Sequence, residues 1–194
     1  MEEKLSPEER ATLLRLARQA IEDAVQSRSF SPLDLQNLPE ALRQPGASFV
    51  TLTTHGELRG CIGALEAYQP LVEDVREHAI GAALQDYRFP PVDASELKDL
   101  EIEISRLTPP QPLSYKTPEE LLERLRPGED GVILRDGLRR STFLPQVWEK
   151  LPDTVDFLDH LCAKMGASPS LWRYKQLEVL TYQVEEFREE PRGE

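Results

Sequence analysis

The chain has 194 residues, 39% of them hydrophobic and 30% charged, a balance expected of a soluble globular protein long enough to bury a sizeable core. Its formal net charge of −12 argues against general nucleic-acid binding and against docking on anionic membranes, since both want a basic surface. It shows no leader pattern and no run of ~20 apolar residues, and two cysteines, Cys61 and Cys162, make no disulfide framework, so a cytoplasmic, reduced setting is the expectation.

In chain order, Ser6-Pro7-Glu8-Glu9 reads as a helix start. Ser6 caps, Pro7 suits the first helical position, and Glu9 completes a capping box. Leu13, Leu16, Ala17, Ala20, Ile21 and Ala24 then follow the spacing of one buried face, and the helix is predicted to end near Val25. Residues 27–46, with Pro32, Pro39, Pro45 and Gly46, read as a meandering connection with at most a short helical turn. The β-branched and aromatic stretch 47–54 predicts a strand, His55-Gly56 a turn, and residues 58–65 an antiparallel return strand. Tyr68-Gln69-Pro70 opens a second helix. Its buried face would be Leu71, Val75, His78, Ala79, Ala82 and Ala83, small enough to lie close on a sheet. Arg88-Phe89-Pro90-Pro91 ends it, and Leu100–Leu107 is a further strand.

Thr117-Pro118-Glu119-Glu120 repeats the capping logic and starts a short helix to about Leu125. Pro127-Gly128 turns the chain. A hairpin follows over Gly131–Arg135 and Leu138–Phe143, with Asp136-Gly137 as its tight turn. Pro145 starts a short helix, and a longer one over Asp153–Met165 is stopped at Gly166. Gln176–Phe187 reads as one last long strand, and the acidic tail beyond Arg188 is expected to fray.

Each half runs hairpin, helix, strand: Phe49 to Leu107, then Val132 to Phe187. Leu58-Arg59-Gly60-Cys61 in the first matches Leu138-Arg139-Arg140-Ser141 in the second. An internal duplication and the chance alignment of a common unit are both open. The expected fold class is α+β, with a mainly antiparallel sheet, barrel-like if it closes, flanked by helices. The expected organisation is a single domain over residues 1–194, with a smaller helical subdomain formed from residues 27–46 and 109–128.

The stretch Leu58-Arg59-Gly60-Cys61-Ile62-Gly63 draws most attention. As a strand it places Arg59, Cys61 and Gly63 on one face. Glycine weakens a strand interior, so Gly60 and Gly63 imply a bulge or a close backbone approach. They would leave the Cys61 thiol in an uncrowded notch, and a nearby Arg59 cation favours the thiolate. The alternative is that Cys61 is a small buried hydrophobe beside a strand bend.

This hexapeptide resembles the signature of the AMME-syndrome critical-region family, whose prokaryotic members are called AmmeMemoRadiSam system protein A. The run from Ala82 to Pro91 is similar to the family pattern A-x-x-D-x-R-F-x-P, and Glu103-Ile104-Ser105 and Phe143-Leu144-Pro145-Gln146-Val147 also match. The resemblance runs from about Phe49 to about Phe187. It implies an α+β fold on an antiparallel sheet and a conspicuous site, but names no reaction. The family name implies Memo-like and radical-SAM proteins as partners.

Two functions follow as expectations. In the first, the chain is an enzyme or enzyme component with a small-molecule cleft at Leu58–Gly63. Cys61 is its nucleophile or ligand, Glu103 a second catalytic group, and Arg59, Gly60, Gly63, Asp86, Arg88 and Arg140 line the substrate site. In the second, the hexapeptide is a recognition edge of a non-catalytic adaptor. Asp86 and Arg88 carry a purely structural alternative, in which Arg88 satisfies the carbonyls at the helix C-terminus and Asp86 pairs with it. Arg139 and Arg140 alternate faces of their hairpin, one toward an anion site or both in solvent. His78 either reaches over the sheet toward the thiol or is a half-buried helix residue. The sequence has no metal-ligand spacing and no glycine-rich phosphate loop, so no cofactor is expected.

Overall fold

The computed structural model describes residues 4–29 and 32–189. The chain divides into two compact units: residues up to Leu107 together with those from Glu185 onward, and Thr108–Val184. Residues 27–46 fall in the first unit and residues 109–128 in the second.

The first unit begins with α1 (Pro7–Val25). Its capping box is closed in both directions: the Glu9 N–H donates to Ser6 Oγ at 3.2 Å, and the Ser6 N–H donates to Glu9 Oε2 at 2.7 Å. Leu13, Ala17 and Ile21 of the predicted face are fully buried. Arg18 is buried too, a departure from the amphipathic reading. It donates to the carbonyls of Leu97 and Leu100 and pairs with Glu189, so its charge is matched where it is dehydrated. The connection holds two short helical pieces, a 3-10 turn at Leu35–Asn37 and α2 (Glu40–Arg43).

β1 (Pro45–Thr54) and β2 (Glu57–Gly63) form the predicted hairpin. His55 and Gly56 both have positive φ, 54° and 81°, as a type I′ turn requires. A two-residue bridge, β3 (Gln69–Pro70), precedes α3 (Leu71–Leu84), and β4 (Leu100–Leu107) returns beside β1. α3 buries the whole predicted face, His78 included.

In the second unit, β5 (Gln111–Pro112) leads to α4 (Pro118–Arg124), capped by Thr117. β6 (Gly131–Asp136) and β7 (Arg139–Phe143) follow. Their turn centres on Gly137-Leu138, one residue later than Asp136-Gly137, because Asp136 pairs with Arg139 and Gly137 alone has positive φ, 62°. After a 3-10 turn at Pro145–Glu149 comes α5 (Thr154–Lys164), capped by Asp153 and stopped at Gly166 with φ 74°. A short helix, α6 (Leu171–Tyr174), has no counterpart in the sequence reading. The core of this unit stacks Trp148 on Phe157 at 3.6 Å, beside fully buried Leu134, Leu161 and Cys162.

The single strand predicted over 176–187 is two: β8 (Glu178–Tyr182) and β9 (Val184–Arg188), in different sheets. The break has a physical cause. At Gln183 the backbone leaves the ladder and bonds Thr108: the Gln183 N–H donates to Thr108 Oγ1 and the Thr108 N–H to the Gln183 carbonyl. The tail predicted to fray lies outside the described residues from position 190, while the Glu189 N–H bonds the Ile102 carbonyl.

The fold is α+β and antiparallel, but the sheets stay open where barrel-like closure was an expectation. Their orders are β2-β1-β4-β9, with β3 on β1, and β5-β8-β6-β7. The hairpin–helix–strand pattern recurs in both units with one topology: β2-β1-β4 matches β7-β6-β8. The expected register of that match shifts by one. Counting pairs from each turn, Leu52↔Gly60 corresponds to Leu134↔Ser141, so Gly60, rather than Cys61, is the counterpart of Ser141.

Candidate functional site at the edge of the first sheet

β2 is an edge strand, so β1 satisfies its backbone groups on one side only. Its register with β1 slips between Leu52 and Thr53: Leu52 faces Gly60 and Thr53 faces Leu58, leaving Arg59 as the extra residue of a bulge. The strict alternation that put Arg59 beside Cys61 is broken at that point. The Arg59 guanidinium is taken up by Glu96, Nε to Oε1 at 2.8 Å and Nη2 to Oε2 at 3.1 Å, and by the Pro91 carbonyl. Its side chain is only 14% exposed.

The glycines mark close approach. A Cβ at Gly60 would stand 2.1 Å from the Ala82 carbonyl oxygen of α3, and one at Gly63 would stand 2.3 Å from the Phe49 ring. The space beside Gly63 is therefore filled by Phe49.

Cys61 is half-buried. Its Sγ accepts from Thr51 Oγ1 at 3.3 Å. Its backbone is held on the free edge by two side chains from the turn after α3. The Cys61 N–H donates to Asp86 Oδ2 at 2.9 Å, and Arg88 Nη2 donates to the Cys61 carbonyl at 3.3 Å. Asp86 and Arg88 also pair with each other, Nε to Oδ1 at 2.9 Å and Nη2 to Oδ2 at 2.6 Å. The Arg88 guanidinium, helped by the Cys61 and Arg88 amides, holds the Asp86 carboxyl well below the usual carboxylate range against the opposing effect of burial. The two pair with each other, as the structural alternative expected, but Arg88 turns to the Cys61 carbonyl where carbonyls at the end of α3 were expected, and together they supply the acceptor and donor that a neighbouring strand would offer.

The other candidates lie apart from the thiol. Glu103 faces Thr51 from β4, so Cys61, Thr51 and Glu103 form one cross-strand row with Glu103 two strand spacings, ~10 Å, from Cys61. His78 Nδ1 lies 3.1 Å from Asp74 Oδ2, which also accepts from Ser48 Oγ at 2.6 Å. Ser48 alternates with Phe49 and Thr51 along β1, so this buried trio occupies the sheet face opposite the thiol. His55 is exposed at the hairpin turn. Arg140 is exposed on β7 of the second unit, opposite Arg135. Ser141 Oγ donates to the Leu161 carbonyl. Among the described residues no three His, Cys, Asp or Glu side chains converge as a metal site. A cavity of about 240 Å³ between α1 and residues 32–38 is lined by none of the candidate residues.

Sequence reasoning missed Glu96 and Asp74. Asp74 and His78 stand four apart on α3, a spacing that could have flagged the pair. Glu96, 37 residues from Arg59, carries no local signal.

Fold and site together define a class: α+β proteins of two like hairpin–helix–strand units, with a thiol-bearing edge strand clamped by an Asp–Arg pair. The AMMECR1 family model matches residues 14–187. Protein MJ0810 of Methanocaldococcus jannaschii is 37% identical over 98% of this chain and 95% of its own length. Protein MK0488 of Methanopyrus kandleri is 41% identical over 100% of this chain and 95% of its own. The crystal structure of PH0010 from Pyrococcus horikoshii superposes with a TM-score of 0.83 at 35% identity, covering 96% of this chain and 94% of that one. The chain belongs to the AMMECR1 family. Among its described residues no helix is long and apolar enough to cross a membrane.

Proposed function

We propose that the chain is a binding module, working in the cytoplasm with Memo-like and radical-SAM partner proteins, and that the surface around the β2 edge is what it offers them. The observation that carries this reading is the pairing of the charged side chains at the motif. Arg59 is held by Glu96, Arg88 by Asp86, and Asp86 and Arg88 both by the Cys61 backbone. Charges held in this way fix the shape of a surface and leave none of these groups for proton transfer at Sγ. Around them stand Leu58, 43% exposed, and Tyr87, 95% exposed. Leu58 and Tyr87 flank the clamped groups in sequence, and Tyr and Arg are the side chains that most often anchor a protein interface.

The test is titration of the purified chain with the Memo-like and radical-SAM proteins of its own genome. A complex is expected, weakened about tenfold or more by Leu58→Glu or Tyr87→Ala at unchanged melting temperature. No binding of either protein up to ~100 μM ends this reading.

One observation favours a second reading, an enzyme component with Cys61 as nucleophile or ligand. Cys61 is only half-buried, and its Sγ accepts from the Thr51 hydroxyl, a contact that orients the sulfur on the sheet face. Its test is the pH dependence of Cys61 alkylation in a Cys162→Ser background. A pKa well below the ~8.5 of free cysteine supports it, and an ordinary value removes it.

A further inference from the structure

We propose that Asp86 and Arg88 form an edge plug that keeps β2 from pairing with β2 of a second copy of the chain. An edge strand presents unpaired N–H and C=O groups, a template for association with another strand. On β2 the Cys61 amide and carbonyl are bonded away from β1, to Asp86 Oδ2 and Arg88 Nη2. These are the two groups that an antiparallel partner strand would engage at that residue. The plug is firmly seated: Asp86 has a 3% exposed side chain and is locked to Arg88 through both carboxylate oxygens.

The second unit carries an independent parallel. The register of the repeat makes Thr142 the counterpart of Cys61, and β7 is likewise an edge strand. The Thr142 carbonyl accepts from Lys164 Nζ at 2.9 Å, at the end of α5. In both units a cation from the end of the packed helix, or just beyond it, covers the same outward carbonyl. Edges are commonly protected by such charged side chains.

An open edge centred on Cys61 would bring two copies together about a two-fold axis, with paired Cα atoms ~5.5 Å apart. A short bis-maleimide then joins the two Cys61 thiols. The experiment compares wild type with the double variant Asp86→Ala, Arg88→Ala by sedimentation and by this cross-linking, using the chain alone, so that it reads independently of any partner protein. The double variant is expected to dimerise at least about tenfold more tightly and to cross-link through Cys61, with Cys61→Ser abolishing the product. A folded double variant that stays monomeric overturns the proposal, as does a wild-type chain that already cross-links through Cys61. Should the double variant fail to fold, amide exchange of the wild type decides. Strong protection of the Cys61 N–H supports the plug, and exchange at the rate of an unbonded edge amide refutes it.

Discussion

Gly60 of β2 and Ala82 of α3 approach so closely that a β-carbon on residue 60 would meet the Ala82 carbonyl oxygen at 2.1 Å. The obstacle is backbone, which cannot rotate aside as a side chain would. Gly60→Ala therefore forces α3 off the sheet and is expected to cost about 3 kcal/mol, with Gly60→Val costing more. Urea denaturation measures both. A loss under about 1 kcal/mol for Gly60→Ala would show that the helix shifts freely.

Asp86 predicts a pH dependence of definite sign. Its folded carboxyl titrates below the unfolded one because Arg88 and the Cys61 amide favour the charged form. The stability it contributes is thus present above the ordinary aspartate value of ~3.9 and is lost as the pH falls below it. Asp86→Asn should destabilise by about 2 kcal/mol at neutral pH, and the gap from wild type should narrow steadily from about pH 4 downward. A gap that stays constant to pH 2 would contradict this assignment.

The Arg59–Glu96 pair is two-pronged and mostly buried. A lysine reproduces the charge but not the fork, so Arg59→Lys should lose nearly as much as Arg59→Ala, on the order of 1–2 kcal/mol. Thermal unfolding of both variants checks this, and full rescue by lysine would reduce the interaction to simple charge.

The two thiols should separate cleanly. Cys162 is fully buried and its pKa is pushed up by that burial, whereas Cys61 is half-buried. Native protein should take up one equivalent of iodoacetamide, at Cys61, and the second only on unfolding. Mass mapping of the labelled peptide decides it.

Much of the fold was legible because its signals are local. The Ser6–Glu9 box, the Thr117 cap, the His55-Gly56 turn and the small-residue face of α3 each involve residues a few positions apart. The break at Gln183 was not legible. Glu178–Tyr182 and Val184–Arg188 both carry strand-forming residues, and the exit from the ladder depends on Thr108, 75 residues away. The repeat was legible as a pattern but not in register, since a bulge adds one residue without disturbing composition.

The sequence by itself determined the α+β class, the order of the main helices and strands as far as α5, the family likeness and the prominence of Leu58–Gly63, because caps, turns and periodicity act within a turn or two of chain. Only the tertiary structure decided what those residues do to one another. It turned Arg59 to Glu96, set His78 on the sheet face away from the thiol, and brought Asp86 and Arg88 onto the Cys61 backbone from 25 and 27 residues away. Such contacts follow from strand register and from how closely a helix packs. Both are fixed by burial of the whole core, which no short stretch of sequence encodes.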